Sequence, residues 1–252
     1  MNQLLNGKNI VKIYGKGQEA QPVLNGVNVE ISQGEFVAVM GPSGSGKSTL
    51  MYALSGMEKI EDGSICFDGK ELQNCNEKQS SMLRRQEMGF IFQQPGMLAN
   101  LNLLDNILLP SVHDHKKDYE ELAEKAKELM QRTGIAELAG RTITEVSGGQ
   151  LQRAGICRAL MNEPKILFAD EPTGALNSKT SFEIMELFQE INQNGAAVFL
   201  VTHDAKVASY AGRVLFLVDG QVKTELNFTE ENLHTTEEKQ EAVLCVMQEM
   251  GV

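Results

Sequence analysis

Residues 35–49 combine a short apolar run with a glycine-rich loop and a lysine. Residues 35–40 include β-branched side chains and predict a buried strand. The loop after them fits the pattern G-x-x-x-x-G-K-[ST], whose glycines let backbone N–H groups face an anion at the start of a helix. The lysine supplies positive charge for phosphate oxygens, and the serine hydroxyl suits a hard Mg²⁺ ion. We therefore predict a nucleotide-phosphate site, with the candidate residues Gly41, Ser43, Gly44, Ser45, Gly46, Lys47, Ser48 and Thr49.

Two carboxylates, Asp170 and Glu171, follow a second apolar run at residues 166–169. A carboxylate at the end of a buried strand is typical of Mg²⁺ binding beside a phosphate loop, and a second one could polarise an attacking water. Considered without the phosphate loop, the two could simply be carboxylates at a turn that faces a helix. His203 follows a third apolar run. A single histidine is commonly a core side chain, but a strand end that faces the same site favours contact with a γ-phosphate.

The elements that must position these residues alternate between strands and helices. This alternation predicts an α/β fold of the P-loop NTPase type with a mainly parallel sheet, at whose carboxyl edge the three groups should converge. Alternating apolar residues between positions 8 and 34, with a short strand at residues 64–67, predict an antiparallel β layer at the N-terminal side. Ser147 is a good N-cap for a helix that opens with Gly148, Gly149 and Gln150, and the glycines allow close approach to its start.

An inserted α-helical subdomain is predicted at about residues 95–163. Residues 97–109 are rich in leucine, and residues 118–132 carry a helical apolar stripe that begins at Tyr119, with a Glu121–Lys125 pair on the outer face. Residues 1–226 should form one nucleotide-binding domain, followed by an acidic extension at 227–252. In that extension, residues 235–238 resemble a capping box before a short helix that docks on the body or on a partner.

Composition argues against nucleic-acid binding, cysteine-based metal sites and a membrane-spanning segment. The chain has 252 residues and a net charge of −11, which argues against a nucleic-acid partner. Its four cysteines are scattered, with no metal-ligand spacing, and look like reduced thiols. No apolar stretch approaches the roughly 20 residues that span a bilayer, and no signal-peptide pattern is present, so we expect a soluble chain.

Taken in this order, the motifs resemble the ATP-binding subunits of ABC transporters, from residue 8 to about residue 226. The resemblance implies ATP and Mg²⁺ as cofactors and ATP hydrolysis as the activity. It implies that Tyr14 stacks on adenine, that Gln93 senses Mg²⁺ and the attacking water, and that Glu171 is the general base. It further implies that His203 is a switch histidine and that Ser48, Gln93 and Asp170 surround the metal.

Ser147, Gly148, Gly149 and Gln150 match the family's signature motif, with Val146 where leucine is commoner. By this resemblance two subunits face head to tail in an ATP-dependent homodimer, and each ATP lies between one phosphate loop and the other subunit's signature helix. A membrane permease would bind through the helical subdomain and the region of Gln93, which places the chain at the cytoplasmic face of the cell membrane. Asn177 departs from the family, where aspartate is usual, and we expect it to affect communication between subunits rather than ATP binding.

Residues 89–93, 106–110 and 169–176 resemble the branch that contains peptide-antibiotic resistance transporters, macrolide exporters and lipoprotein-releasing systems. Residues 202–204, residues 208–214 and the C-terminal extension are similar to the peptide-antibiotic resistance group. The alternative is a non-transporting ABC ATPase that regulates a membrane or cell-wall complex. DNA-repair members fit poorly, because no long coiled-coil insertion separates the nucleotide motifs, and translation-factor members carry two such domains where this chain has one.

Overall fold

The computed structural model describes residues 3–15, 17–112 and 118–251. Parts of the predicted domains therefore lie outside the described residues: 1, 2 and 16 in the nucleotide-binding domain, 113–117 in the helical subdomain, and 252 in the extension. The strands are β1 (Gln3–Tyr14), β2 (Gln21–Ser32), β3 (Phe36–Met40), β4 (Asp62–Phe67), β5 (Lys70–Glu71), β6 (Met88–Phe92), β7 (Ile166–Asp170), β8 (Ala197–Val201), β9 (Arg213–Val218) and β10 (Gln221–Asn227). The helices are α1 (Lys47–Leu54), α2 (Glu77–Glu87), α3 (Leu103–Leu108), α4 (Tyr119–Arg132), α5 (Gly148–Leu160), α6 (Ser178–Gln193), α7 (Ala205–Ala208) and α8 (Thr236–Met250).

Two sheets make up the β structure. The larger has the order β10-β9-β3-β8-β7-β6, in which β9, β3, β8, β7 and β6 run parallel and β10 is antiparallel to β9. The smaller is antiparallel, with the order β2-β1-β4-β5. The central strands β3 and β8 are buried along their whole length, as expected for apolar runs covered on both faces. The predicted fold class is confirmed.

Buried side chains form three clusters. One lies between the two sheets and includes α1. A second packs α6, α7 and α8 on the other face of the larger sheet. The third joins α3, α4 and α5, within the predicted helical subdomain. Each cluster includes side chains from elements far apart in sequence, so the elements that carry the site are fixed by tertiary packing.

The outer face of α4 differs from the prediction. Its buried residues are Leu122, Ala126, Leu129 and Met130, whereas Tyr119 in the first turn is exposed, so its assignment to the buried stripe is wrong. Lys125 pairs with Glu163, just beyond the end of α5, rather than with Glu121. The ion pair of Lys125 therefore joins α4 to the segment just beyond α5 and does not link two residues of α4.

The C-terminal helix α8 docks on the body of the chain. Thr235 and Glu238 form the predicted capping box at its start. Val243 is fully buried in the second cluster, with Val246 and Met247 packed against it, and Phe228 is buried in the same cluster. The described part of the extension therefore shares its core with the nucleotide-binding domain.

Candidate active site

The phosphate loop connects the end of β3 to the start of α1. Gly41 has φ of 150°, and a Cβ on it would lie 1.9 Å from the carbonyl oxygen of Leu217. Gly46, the N-cap of α1, has φ of 101°, and a Cβ there would lie 2.9 Å from the Val23 carbonyl oxygen. Both positions therefore require glycine on steric and conformational grounds. The loop backbone lies in close contact with β9 and β2, and the first N–H groups of α1 have no partner within the helix.

Lys47 and Ser45 are the side chains of this loop that fit an anion. The Lys47 ammonium donates to the carbonyl oxygens of Gly41 and Pro42, at 2.9 and 2.8 Å. Burial lowers the pKa of Lys47, while the charges of Glu171 and Asp170 oppose that shift. The Ser45 hydroxyl is buried without a hydrogen-bond partner in the described residues. A buried unsatisfied hydroxyl beside a lysine and a helix N-terminus fits a phosphate group.

Asp170 lies opposite α1 and accepts from two hydroxyl groups. The Ser48 Oγ donates to its Oδ1 at 3.0 Å, and the Tyr52 hydroxyl donates to its Oδ2 at 3.4 Å. Burial raises the pKa of Asp170, although these hydrogen bonds and the charge of Lys47 pull it down. A hydroxyl and a carboxylate are oxygen ligands of the kind that Mg²⁺ prefers. In the described ranges no group of three His, Cys, Asp or Glu side chains could hold a metal ion.

Glu171 and His203 are in direct contact. The His203 Nδ1 lies 2.8 Å from the Glu171 Oε1, and the Thr202 hydroxyl donates to the Oε2 at 3.4 Å. The side chain of His203 is 72% exposed and that of Glu171 is 20% exposed. Glu171 has φ of 47°, in the left-handed region, and its N–H donates to the carbonyl oxygen of Val201 at 2.9 Å. The histidine therefore contacts the carboxylate from the solvent side.

Strand register explains why these groups meet. Phe92 on β6 pairs with Asp170 on β7, which in turn pairs with Val201 on β8. Gln93 and Glu171 follow directly, and His203 comes two residues after β8. The Gln93 amide lies over the loop after Glu171, since a Cβ on Gly174 would be 2.8 Å from its Nε2. The sheet thus brings together the predicted metal and water-activating residues.

Tyr14, at the end of β1, lies at the margin of the phosphate loop. Its ring is partly exposed, its hydroxyl donates to the Glu58 carboxylate, and Thr49 lies within hydrogen-bond reach. Burial and the bond to Glu58 raise the pKa of Tyr14. An exposed aromatic ring beside the phosphate loop offers a stacking surface for a base.

The signature residues lie elsewhere on the surface. Ser147 caps α5 as expected: its N–H donates to the Gln150 Oε1 at 2.8 Å, and its Oγ accepts from the Gln150 N–H at 3.3 Å. Gly149 packs against α6, since a Cβ on it would lie 2.6 Å from the Thr180 Cγ2. No hydrogen bond or ion pair in the described chain joins residues 147–150 to residues 41–49. The structure thus brings the phosphate loop and the predicted metal and water-activating residues to one edge of the larger sheet, with Tyr14 of the smaller sheet beside them. Residues 147–150 lie away from this site.

Two contacts were missed from the sequence. Tyr52 lies four residues after Ser48 on α1, a spacing that places both on one helix face and could have identified it. Thr202 links the end of β8 to Glu171 through its hydroxyl, but a buried threonine beside a histidine gives no distinct pattern. Both residues hold carboxylates in place rather than extend the site.

Comparison with known proteins identifies the family. A family model described as ABC transporter matches residues 24–174. The bacitracin export ATP-binding protein BceA of Halalkalibacterium halodurans is 42% identical over 233 residues, which cover 92% of each chain. The macrolide export ATP-binding/permease protein MacB of Pasteurella multocida is 38% identical over 231 residues, which cover 91% of this chain and 35% of that protein.

Among solved structures, the dimeric post-hydrolysis state of the ATP-binding cassette MJ0796 of Methanocaldococcus jannaschii, bound to ADP and Pi, matches with a TM-score of 0.84. Its sequence is 36% identical, and the match covers 92% of this chain and 100% of that one. The chain belongs to the ABC transporter family. Within that family it is an ATP-binding and ATP-hydrolysing subunit, which confirms the predicted family, branch and activity. None of the helices described here has the length and apolar character needed to cross a membrane.

Proposed function

We propose that the chain powers a membrane permease that exports antimicrobial peptides or confers resistance to them. The observation that carries this proposal is the 42% identity to a bacitracin export ATP-binding protein over 92% of each chain. The match to MacB covers only 35% of a protein named as both ATP-binding and permease, so a cassette of this type works with a permease there. For this chain we propose a separate permease subunit.

The site residues are assigned to ATP and Mg²⁺ as follows. The α1 N-terminus, Lys47 and Ser45 hold the β- and γ-phosphates, and the Tyr14 ring stacks on the base. Ser48, Asp170 and Gln93 surround the metal, whose bound form would neutralise charge on the phosphate oxygens. What supports this assignment is the Ser48–Asp170 contact of 3.0 Å and the buried unsatisfied hydroxyl of Ser45.

Glu171 is proposed as the general base of hydrolysis. A water oxygen attacks the γ-phosphorus, one water proton moves to the Glu171 carboxylate, and the bond to the β-phosphate oxygen breaks to leave ADP and phosphate. Thr202 and His203 both contact the Glu171 carboxylate and so orient it. Because the His203 side chain is 72% exposed, it has room to turn toward the γ-phosphate when nucleotide is present.

A second copy of the chain would complete each ATP site. The separation of Ser147, Gly148, Gly149 and Gln150 from the chain's own phosphate loop supports a head-to-tail dimer, as does the similarity to a dimeric cassette bound to ADP and Pi. In that dimer the α5 N-terminus and the Ser147 hydroxyl of one subunit would face the γ-phosphate held by the other. The Asn177 loop lies beside the signature, since Gly148 neighbours Leu176.

The permease is proposed to dock on the helical subdomain, residues 95–163, and beside Gln93. Leu98 and Leu109 are 46% and 42% exposed there, whereas Leu103 and Ile107 are fully buried. A groove of about 310 Å³ is lined by Phe90 and Phe92 of β6, by α2, and by Pro110 and Arg158 of this subdomain. Docking at this groove would place the chain at the cytoplasmic face of the membrane. We retain residues 1–226 as the nucleotide-binding domain and 227–252 as an extension whose described residues pack on it.

Glu171→Gln tests the proposal. The amide cannot accept a proton from water, so this variant should bind ATP–Mg²⁺, lose nearly all turnover, and run as a dimer in gel filtration with ATP. Glu186→Gln is the matched control, because it makes the same change on the exposed face of α6 and should behave like the parent. Parental turnover by Glu171→Gln would refute the assigned base, and a monomer at high protein concentration with bound ATP would refute the dimer.

The transported substrate needs a separate experiment. Cells that express the chain with the permease that copurifies with it should tolerate bacitracin at higher concentrations than cells that express the Glu171→Gln variant with the same permease. Equal tolerance to bacitracin and to other peptide antibiotics would remove the proposed substrate class but leave the ATPase assignment in place.

A further inference from the structure

One side of the signature helix α5 is bound to the segment that carries Gln93. Gln152 on α5 is only 2% exposed, and its side-chain Nε2 donates to the backbone carbonyl oxygen of Phe92 at 3.1 Å. Phe92 is the last residue of β6 and directly precedes Gln93. The amide of Gln152 thus fixes the backbone at the point where the Gln93 segment leaves the sheet.

The next two turns of α5 continue this contact. Pro95 lies directly on the helix at Gly155, where a Cβ would come within 3.2 Å of the proline ring. The Arg158 guanidinium donates to the carbonyl oxygens of Pro95 and of Gly96, the latter at 3.1 Å. No carboxylate in the described chain forms an ion pair with Arg158, and its burial lowers its pKa. Its hydrogen bonds to the loop therefore offset the partial desolvation of this half-buried cation.

The same helix carries the signature at its start. Ser147 caps α5, and a rise of about 1.5 Å per residue places Gln152 only about 8 Å along the axis from that cap. Residues 148–152 lie in one continuous α-helix that a capping box closes at its start. A shift of the signature end would therefore act on Phe92, Pro95 and Gly96 through these contacts, and through them on Gln93.

We propose that Gln152 and Arg158 are positioning residues that couple the two ATP sites of a dimer. The inference rests on the proposed function, in which Ser147 faces the nucleotide of the partner and Gln93 faces the nucleotide of its own subunit. When the signature closes on one ATP, α5 sets Gln93 against the metal and water at the other. The coupling makes turnover cooperative in ATP and sets the Mg²⁺ concentration that turnover requires.

The test uses Gln152→Met, which keeps the length of the side chain and removes the amide donor. We expect the Mg²⁺ concentration for half-maximal turnover to rise about fivefold, which corresponds to the loss of one hydrogen bond of ordinary strength. We also expect the Hill coefficient for ATP to fall toward one and Mg²⁺-free ATP affinity to stay within twofold. Because Gln152 acts through Gln93, adding Gln152→Met to Gln93→Ala should produce no further change.

Thr133→Val is the matched control. Thr133 is also 2% exposed, and its hydroxyl donates to backbone carbonyl oxygens at the end of α4, so the variant loses a buried hydrogen bond beside α5 but leaves the Gln93 segment untouched. It should lower the melting temperature without moving the Mg²⁺ requirement. An equal Mg²⁺ shift in Thr133→Val, or additive effects in the double variant, would overturn the proposal.

Amide hydrogen exchange gives a readout that does not depend on turnover. In Gln152→Met, the hydrogen-bonded amides that flank the Gln93 segment, those of β6 and of Leu98, whose N–H donates to the Asn106 Oδ1 at 2.7 Å, should exchange faster while those within α5 stay protected. Unchanged exchange at these amides would overturn the link by itself. If the parent chain bound but did not hydrolyse ATP, the proposed function would fail, and the exchange result would still decide whether Gln152 positions this segment.

Discussion

Replacing Asn177 can separate two roles of its side chain, helix capping and contact with a second subunit. Its Oδ1 accepts from the Thr180 N–H at 3.0 Å and caps α6. Its amide NH₂ makes no hydrogen bond to any other described residue, and the residue is exposed beside the signature. The structure thus assigns the acceptor to helix capping and leaves the donor available for a second subunit.

The magnitudes follow from this division. Asn, Asp and Ser cap helices about equally well, so Asn177→Asp and Asn177→Ser keep the cap, whereas Asn177→Ala should lose about 1 kcal/mol of unfolding free energy. A carboxylate at a helix N-terminus adds about 0.3–1 kcal/mol, so Asn177→Asp should be slightly more stable than the parent. In a domain of this size 1 kcal/mol corresponds to about 2–4 °C in melting temperature.

Turnover should respond differently from stability. Asn177→Asp turns a donor into a charged acceptor at the proposed dimer interface, and a change of about 1 kcal/mol in the barrier is roughly a fivefold change in rate. We expect the rate to rise, with ATP affinity nearly unchanged, because the side chain lies outside the phosphate loop.

The assay measures melting temperature, ATP affinity and maximal ATPase rate on the parent and the three variants. Asn177→Ser caps the helix but is too short to reach across an interface. It therefore distinguishes a role in helix capping from a role at the dimer interface. If the Asn177→Ser and Asn177→Asp variants both hydrolyse ATP at the parental rate, Asn177 acts only as a helix cap. If Asn177→Asp loses ATP affinity at an unchanged maximal rate, the residue belongs to the binding step.

Three further predictions concern the site and its surroundings. Lys47→Ala should weaken ATP binding roughly 10- to 100-fold by titration, because a charge-assisted hydrogen bond contributes about 1.5–3 kcal/mol; unchanged affinity would contradict the phosphate-loop assignment. Burial raises the pKa of Asp170 in the folded chain, so its ionisation lowers stability as pH rises through that pKa. The melting temperature of Asp170→Asn should therefore be higher than that of the parent at pH 7, and the difference should shrink toward about pH 4. A difference in melting temperature that does not depend on pH would contradict the destabilising effect of the Asp170 charge. Leu98→Asp and Leu109→Asp should keep the parental melting temperature and lose the stimulation of ATPase activity by the permease, whereas Ile107→Asp should unfold the chain. If all three variants unfold, these residues serve the hydrophobic core and do not form a docking surface.

What could be predicted from the sequence is local or follows from general rules of parallel sheets. The phosphate loop is defined by glycine spacing and a following helix, and Gly41 and Gly46 occupy backbone conformations that only glycine adopts easily. Asp170 and His203 could be placed together because the ends of parallel strands meet at one edge.

The rest depends on contacts between distant segments. The amide of Gln152 binds a backbone carbonyl 60 positions away, and any residue at 92 would offer the same carbonyl, so no sequence pattern marks the contact. Lys125 pairs with Glu163 instead of its helical neighbour, because the fold of the subdomain brings a closer carboxylate to it. Asparagine directly before a helix is a preferred N-cap, so the capping role of Asn177 could have been predicted, whereas its amide NH₂ without a hydrogen bond to another described residue follows only from the fold.

The left-handed backbone at Glu171, with φ of 47°, has a consequence for how this protein tolerates mutation. A non-glycine residue in that conformation costs roughly 1 kcal/mol or more, which glycine would relieve. The chain thus gives up part of its folding stability to hold a carboxylate at the end of β7. A population of variants selected only for being folded should therefore accumulate glycine at position 171. With Glu171 as the proposed general base, catalysis would disappear from such a population while the fold became more stable, so abundance and activity would change in opposite directions at this residue.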